Sequence, residues 1–187
     1  RILAISTGGA ALALSFVLSR ITMFRMPMGG SVTPASMLPL LLFAMAFGPG
    51  FGYGACAIMA VLQLIGGYLL FPLQVVLDYL LPFTIFGSVG FLHSNTQGSG
   101  THGSGSRNFL SRIRSVRYVR AAVCTSLCYA AQLLCSTLSG VIFYSEYAGD
   151  MNVWAYSLSY NALFIAPECI ITLLAMSAVF ALARKSE

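Results

Sequence analysis

Charged side chains are scarce in this sequence. Ten Lys or Arg and five Asp or Glu residues make up only 8% of the 187 residues, whereas 58% are hydrophobic. A water-soluble domain ordinarily has about a quarter of its residues charged, so this chain cannot cover a soluble surface. The scarcity of charge excludes a soluble domain and predicts an integral membrane protein.

Histidine is almost absent as well, which argues against enzyme chemistry. Neither of the two histidines, His93 and His102, lies inside a long apolar segment, so no serine there has a base beside it. The five cysteines fall in apolar segments without a neighbouring histidine or acid to complete a metal site. We expect no catalytic residue, no metal, no cofactor and no disulfide framework.

Long apolar segments are what the sequence has in quantity. They predict an all-α integral membrane protein with six transmembrane helices, forming a single membrane domain over residues 1–187. The segments are 2–22, 36–48, 52–71, 74–92, 118–144 and 156–183.

Basic residues predict the orientation of these helices. Arginines cluster between the fourth and fifth segments, and Arg184 and Lys185 follow the sixth. The positive-inside rule places both regions, and with them both termini, in the cytoplasm. The net charge of +5 is explained by this topology and does not indicate a nucleic-acid partner.

Residues 94–106 are a run of Gly, Ser and other small polar residues within the predicted cytoplasmic loop. Such a composition behaves as a flexible coil, and its repetition is also that of an engineered linker. We assign this loop no function.

The first apolar segment has small residues at helical spacing, among them Gly9 and Ala13. Small residues four apart let two helices approach closely in lipid. The pattern fits an interface with a partner subunit and fits packing inside this chain, and the sequence alone leaves both open.

Acidic residues inside apolar segments are the strongest candidates for ligand contacts. Asp78 lies in the fourth segment, where a carboxylate ordinarily faces a cavity, a partner or a ligand. Gln74 is four residues earlier and shares its helix face, and Tyr79 is adjacent. Glu168 follows Pro167 in the last segment, and the sequence leaves open whether it contacts a ligand or supports packing.

A second group of candidates surrounds the stretch 139–161, which joins the last two apolar segments on the predicted outer side. This stretch is rich in tyrosine and contains Trp154. Such residues form either an interfacial belt or the walls of a site that stacks a flat ligand. The candidate site residues here are Ser136, Ser139, Tyr144, Tyr156 and Asn161.

Four sequence blocks resemble one protein family. They are residues 26–39 (MPMGGSVTPASMLP), 74–79 (QVVLDY), 139–148 (SGVIFYSEYA) and 154–161 (WAYSLSYN). Together they are similar to the thiamine-specific substrate-binding (S) subunit of energy-coupling factor (ECF) transporters of prokaryotic plasma membranes. The resemblance covers nearly the whole chain apart from residues 94–117.

The resemblance implies a function and partners. Such subunits have six helices and cytoplasmic termini, bind extracellular thiamine with high affinity and do not hydrolyse ATP. A transmembrane coupling subunit and two ATPase subunits drive release, and small residues of the first helix contact the coupling subunit. This favours the interface interpretation of Gly9 and Ala13.

The resemblance also implies roles for individual residues. Asp78 stands where the family has an acid that contacts the pyrimidine, and Tyr79 is the neighbouring tyrosine. Tyr144 takes the place of an aromatic that stacks near the thiazolium. Tyr156 and Asn161 match a polar pair at the start of the last helix.

Four positions depart from the family pattern, and one of them is Asp78, which is one methylene shorter than the glutamate of the family. Ser136 replaces a histidine, Tyr144 replaces a tryptophan, and Gly30 replaces an aromatic residue found in some members. These differences leave a thiamine precursor or another vitamin as alternative ligands. A structural membrane protein without a ligand is the alternative from a different functional class.

Overall fold

A computed structural model describes residues 2–26, 30–93 and 109–185 of the chain. Its elements are helices α1 (Ile2–Arg20), α2 (Leu38–Phe47), α3 (Pro49–Gln63), α4 (Pro72–Leu92), α5 (Phe109–Arg114), α6 (Tyr118–Phe143) and α7 (Val153–Lys185), and strands β1 (Phe24–Arg25) and β2 (Ser31–Val32). The predicted flexible loop 94–106 lies outside the described residues.

The helical class expected from the sequence is confirmed. Helices α1, α4, α6 and α7 are long and apolar enough to cross a membrane, while α2 has 10 residues and α3 has 15. The two strands form only a two-residue antiparallel ladder between α1 and α2. The count of six transmembrane helices stays a prediction.

Helix α2 forms the centre of the core. Seven of its ten residues, from Leu40 to Ala46, are buried, and it packs against α1, α3, α5 and the end of α4. A helix that is apolar on every face has no side suited to water and is buried by its neighbours. This explains how so short an apolar segment is retained.

The third helix is shorter than its apolar segment. The sequence predicted a segment over 52–71, whereas α3 begins at Pro49 and ends at Gln63. Gly66 has φ +81°, a left-handed conformation that glycine adopts without steric cost. The chain therefore leaves the helix early, and residues 66–68 form part of a cavity wall.

Helix α4 is irregular at the point where its acid lies. Residues Val76–Leu80 form a π-helical turn, in which the N–H of Leu81 bonds the carbonyl of Val76. Pro82 has no N–H to donate to the carbonyl of Asp78, so regular α-helical bonding cannot continue across this turn. Single π-helical turns occur frequently at functional sites.

Candidate ligand-binding cavity

A cavity of about 490 Å³ lies among α4, α6, α7, the connection between α3 and α4, and the segment that contains the two strands. Its wall includes seven of the eight ligand-site residues predicted from the sequence: Gln74, Asp78, Tyr79, Ser136, Tyr144, Tyr156 and Asn161. Ser139, the eighth, is fully buried and does not line the cavity, and its hydroxyl lies beside the carboxyl of Asp78. The fold therefore brings together side chains that are up to 87 positions apart in the sequence.

Gln74 orients Asp78. Its Nε2 donates to Asp78 Oδ2 at 2.7 Å and to the carbonyl of Tyr68 at 3.0 Å, and its Oε1 accepts from the N–H of Leu70 at 3.1 Å. Gln74 is 1% exposed. The amide of Gln74 is thus used inside the protein, and it fixes the carboxylate rather than offering a ligand contact of its own.

Tyrosine rings form the wall around Asp78. The hydroxyl of Tyr79 accepts from the N–H of Tyr68 at 2.9 Å, and the rings of Tyr68 and Tyr144 have centroids 6.4 Å apart. Tyr144 follows the last residue of α6 and lines the cavity. The cavity wall near Asp78 is therefore aromatic.

The aromatic residues of the stretch 139–161 fall into two groups, one that lines the cavity and one that lies outside its wall. Tyr156 and Tyr160 stack with centroids 6.2 Å apart and line the cavity. Trp154 and Tyr147 are 56% and 54% exposed and lie outside the cavity wall. The first pair fits a ligand site, and the second pair fits an interfacial belt.

Helices α6 and α7 meet closely beside the site. The hydroxyl of Ser157 donates to the carbonyl of Thr137 at 2.8 Å, and Asn161 Nδ2 donates to the carbonyl of Ser136 at 3.2 Å. A Cβ atom at Gly140 would lie 2.1 Å from Ser157 Oγ. The amide nitrogen of Asn161 is therefore used between the helices, which leaves Asn161 Oδ1 as its acceptor on the cavity wall.

An aromatic ring from α7 lies beside Gly30, one of the positions that departs from the family pattern. A Cβ atom at Gly30 would lie 2.6 Å from the ring of Phe164, and both residues line the cavity. Phe164 thus occupies the space that a side chain at position 30 would need. An aromatic surface is present at this part of the cavity although residue 30 is glycine.

Several lining residues were not among the predicted site residues. They include Thr33, Ser36, Tyr68, Gln132, Tyr160, Phe164 and Glu168. Glu168 was recognisable in the sequence as a carboxyl within an apolar segment, but its partners were not. The hydroxyls of Thr33 and Ser36 were indistinguishable from ordinary loop residues until the fold placed them against α7.

Sequence and structure comparisons identify the family. The family model described as thiamine transporter protein (Thia_YuaJ) matches residues 5–186. The chain belongs to the thiamine transporter protein family. It is 28% identical over 158 residues to the thiamine transporter ThiT of Bacillus subtilis (strain 168), which covers 83% of this chain and 77% of that protein.

The fold is also similar to that of a solved ThiT structure. The structure of ThiT from Listeria monocytogenes superposes with a TM-score of 0.67 at 19% sequence identity, covering 100% of this chain and 96% of that one. Membership of the thiamine transporter family, with several apolar helices, makes this chain a multi-pass cell-membrane transport protein rather than an enzyme.

Proposed function

We propose that this chain captures extracellular thiamine as the substrate-binding subunit of an ECF-type importer, with the cavity described above as its thiamine site. The observation that carries this proposal is that seven side chains predicted from the sequence line one cavity in a member of the thiamine transporter family. Its volume of about 490 Å³ lies within the range of about 300–1,000 Å³ usual for small-molecule sites.

The chemistry of the cavity suits thiamine. Its thiazolium ring is a cation that is stabilised by an aromatic face, and Tyr144 and Tyr68 provide such faces next to Asp78. Its aminopyrimidine is flat and has hydrogen-bond donors and acceptors, which match Asp78, Tyr156 and Asn161. In this proposal Tyr79 supports the wall, and Ser136 lines it in place of a histidine.

We expect the loss of single contacts to weaken binding measurably. Tyr144→Ala and Asn161→Ala should each lower thiamine affinity at least tenfold, about 1.4 kcal/mol, because one removes an aromatic face and the other an acceptor. Isothermal titration calorimetry on purified variants measures this. Trp154→Ala, which alters an aromatic outside the cavity wall, is the control and should bind like wild type.

Wild-type affinity in both cavity variants would contradict this assignment of the site. If wild-type protein binds a pyrimidine or thiazole precursor more tightly than thiamine, the ligand is the precursor, as the departures at Gly30 and Ser136 allow.

The proposal includes topology and partners. We propose six transmembrane helices in a single membrane domain, with both termini in the cytoplasm and Tyr144 and Tyr156 on the extracellular side. A transmembrane coupling subunit and two ATPase subunits would complete the importer. The basic residues that flank α5 and end α7 support this orientation through the positive-inside rule.

The small residues of α1 divide into two faces. Gly8 is buried, and a Cβ atom there would lie 2.8 Å from the ring of Phe43 in α2. Gly9 and Ala13 are exposed, and Gly9 has no atom of the described residues within 4 Å of an added Cβ. We propose the exposed face as the surface that contacts the coupling subunit.

This surface can be tested separately from thiamine binding. Gly9→Leu and Ala13→Leu should prevent co-purification with the coupling subunit, because a large side chain holds the two helices apart. Thiamine affinity of the isolated chain should not change. Gly54→Leu, on an exposed position of α3, is the matched control, and assembly that survives both α1 changes would contradict the assignment.

A further inference from the structure

Besides Asp78, the wall of the cavity contains a second carboxyl group, that of Glu168. It lies in the interior of α7, is 9% exposed and lines the cavity. A carboxyl within a transmembrane helix is costly to insert and ordinarily faces a partner or an aqueous cavity. The contacts of its two oxygen atoms show which of these applies.

One oxygen of Glu168 is held by the protein. Oε1 accepts from the hydroxyl of Thr33 at 2.5 Å and from the hydroxyl of Ser36 at 3.1 Å. Both donors belong to the segment between β2 and α2, and their oxygens are 2.8 Å apart. These bonds fix the orientation of the carboxyl group.

The other oxygen of Glu168 faces the cavity. Within the described part of the chain Oε2 has no hydrogen-bond partner. It is also not one of the fully enclosed polar atoms, so part of its surface is accessible. Since Glu168 lines the cavity, the accessible surface of Oε2 is on the cavity side. The group is therefore an acceptor with a fixed direction and a free lone pair.

Glu168 lies far along α7 from Tyr156. It follows Tyr156 by twelve residues on the same helix, about 18 Å at 1.5 Å per residue, but it follows Asn161 by only seven residues, about 10 Å, so one bound molecule of the length of thiamine can contact both Asn161 and Glu168. On α6, Tyr129 lies near this level, since its hydroxyl and that of Thr172 are 2.9 Å apart. The cavity therefore has an oriented acceptor at the end remote from Tyr156.

We infer that Glu168 is a second ligand-binding carboxyl, whose Oε2 accepts a hydrogen bond from an N–H or O–H group of the bound molecule. The inference rests on the proposed thiamine site. Thiamine has two such donors, the exocyclic amino group of its pyrimidine and the hydroxyl of its hydroxyethyl arm. Thr33 and Ser36 are positioning residues that act through Oε1.

The test combines variants with ligand analogues. Glu168→Gln keeps an oxygen for Thr33 and Ser36 but can present an amide N–H₂ to the cavity in place of Oε2. We expect it to bind thiamine at least tenfold more weakly than wild type. Glu168→Asp, which keeps a carboxyl but withdraws it by one methylene, is the second variant and should show the same pattern.

Two analogues identify the donor. One has a carbonyl oxygen in place of the exocyclic amino group, and the other lacks the hydroxyl. Wild type should bind one of the two analogues at least tenfold more weakly than it binds thiamine. For that analogue alone, the Glu168 variants should have the same affinity as wild type. The analogue affected shows whether the amino group or the hydroxyl is bound.

Two results would overturn the inference while thiamine binding itself stands. One is wild-type thiamine affinity in both Glu168 variants. The other is an equal loss for thiamine and both analogues, together with a lower melting temperature, which would show a purely structural role. Wild-type protein that does not bind thiamine at all would overturn the proposed function and this inference with it.

Discussion

Replacing Asp78 with Asn is expected to weaken thiamine binding by roughly 30- to 1,000-fold, or about 2–4 kcal/mol. The carboxylate is fixed by Gln74 and faces a cavity whose other charged lining residues are Arg20, Arg25 and Glu168. Removing its charge deprives a cationic ligand of its counter-ion at a site that water screens only partly. Titration calorimetry of the purified variant measures this loss.

The control for Asp78→Asn is Asp150→Asn. Asp150 is an exposed acid in the loop between α6 and α7 and lies outside the cavity wall. The control should bind thiamine like wild type, because an exposed charge outside the site is screened by solvent and salt. An equal loss in both variants would indicate a general electrostatic effect, and no loss at Asp78 would remove this residue from the site.

Gly140→Val is the second change with a large expected effect. An added Cβ would lie 2.1 Å from Ser157 Oγ, whose hydroxyl is already bonded to the carbonyl of Thr137. Ser157 must therefore give up this bond or helices α6 and α7 must separate, and either change disturbs the adjacent bond from Asn161 to the carbonyl of Ser136. We expect destabilisation of about 1–3 kcal/mol and thiamine binding at least a hundredfold weaker.

Thermal unfolding in detergent and thiamine titration together measure the Gly140 effect. Gly54→Val is the matched control, since a Cβ atom at Gly54 meets nothing within 4 Å among the described residues. It should have a melting temperature and a thiamine affinity close to those of wild type. An unchanged melting temperature in Gly140→Val would contradict the close contact between α6 and α7.

The helical class was predictable because it depends on local composition. A chain with few charges and long apolar segments has no other way to satisfy its backbone in lipid. The end of α3 was mispredicted because hydropathy does not distinguish an apolar loop from a helix. The pair Gly66 and Gly67 was the available signal, and the left-handed φ of Gly66 is what ends the helix.

Much of the candidate site was predictable because its residue types are costly or unusual where they occur. Asp78 stood out as an acid in an apolar segment, and the resemblance supplied roles for Tyr144, Tyr156 and Asn161. The bonds from Gln74 to Tyr68 and Asp78 could not be anticipated, since spacing shows a shared face but not a loop folded over it. Gln74 therefore emerged as a support for Asp78.

The contacts of Glu168 lay beyond sequence reasoning for a different reason. Thr33 and Glu168 are 135 residues apart, and only the packing of the segment after β2 against α7 brings them together. The positions of Tyr147 and Trp154 outside the cavity wall likewise depend on how the loop before α7 folds. Neither arrangement leaves a local pattern in the sequence.

The most direct test of the central claim is a thiamine titration into the purified, detergent-solubilised chain, measured by calorimetry alongside Asp78→Asn. We expect saturable binding to one site in wild type and a loss of at least thirtyfold in the variant. Folded wild-type protein that does not bind thiamine, or an Asp78→Asn variant that binds as tightly as wild type, would contradict it.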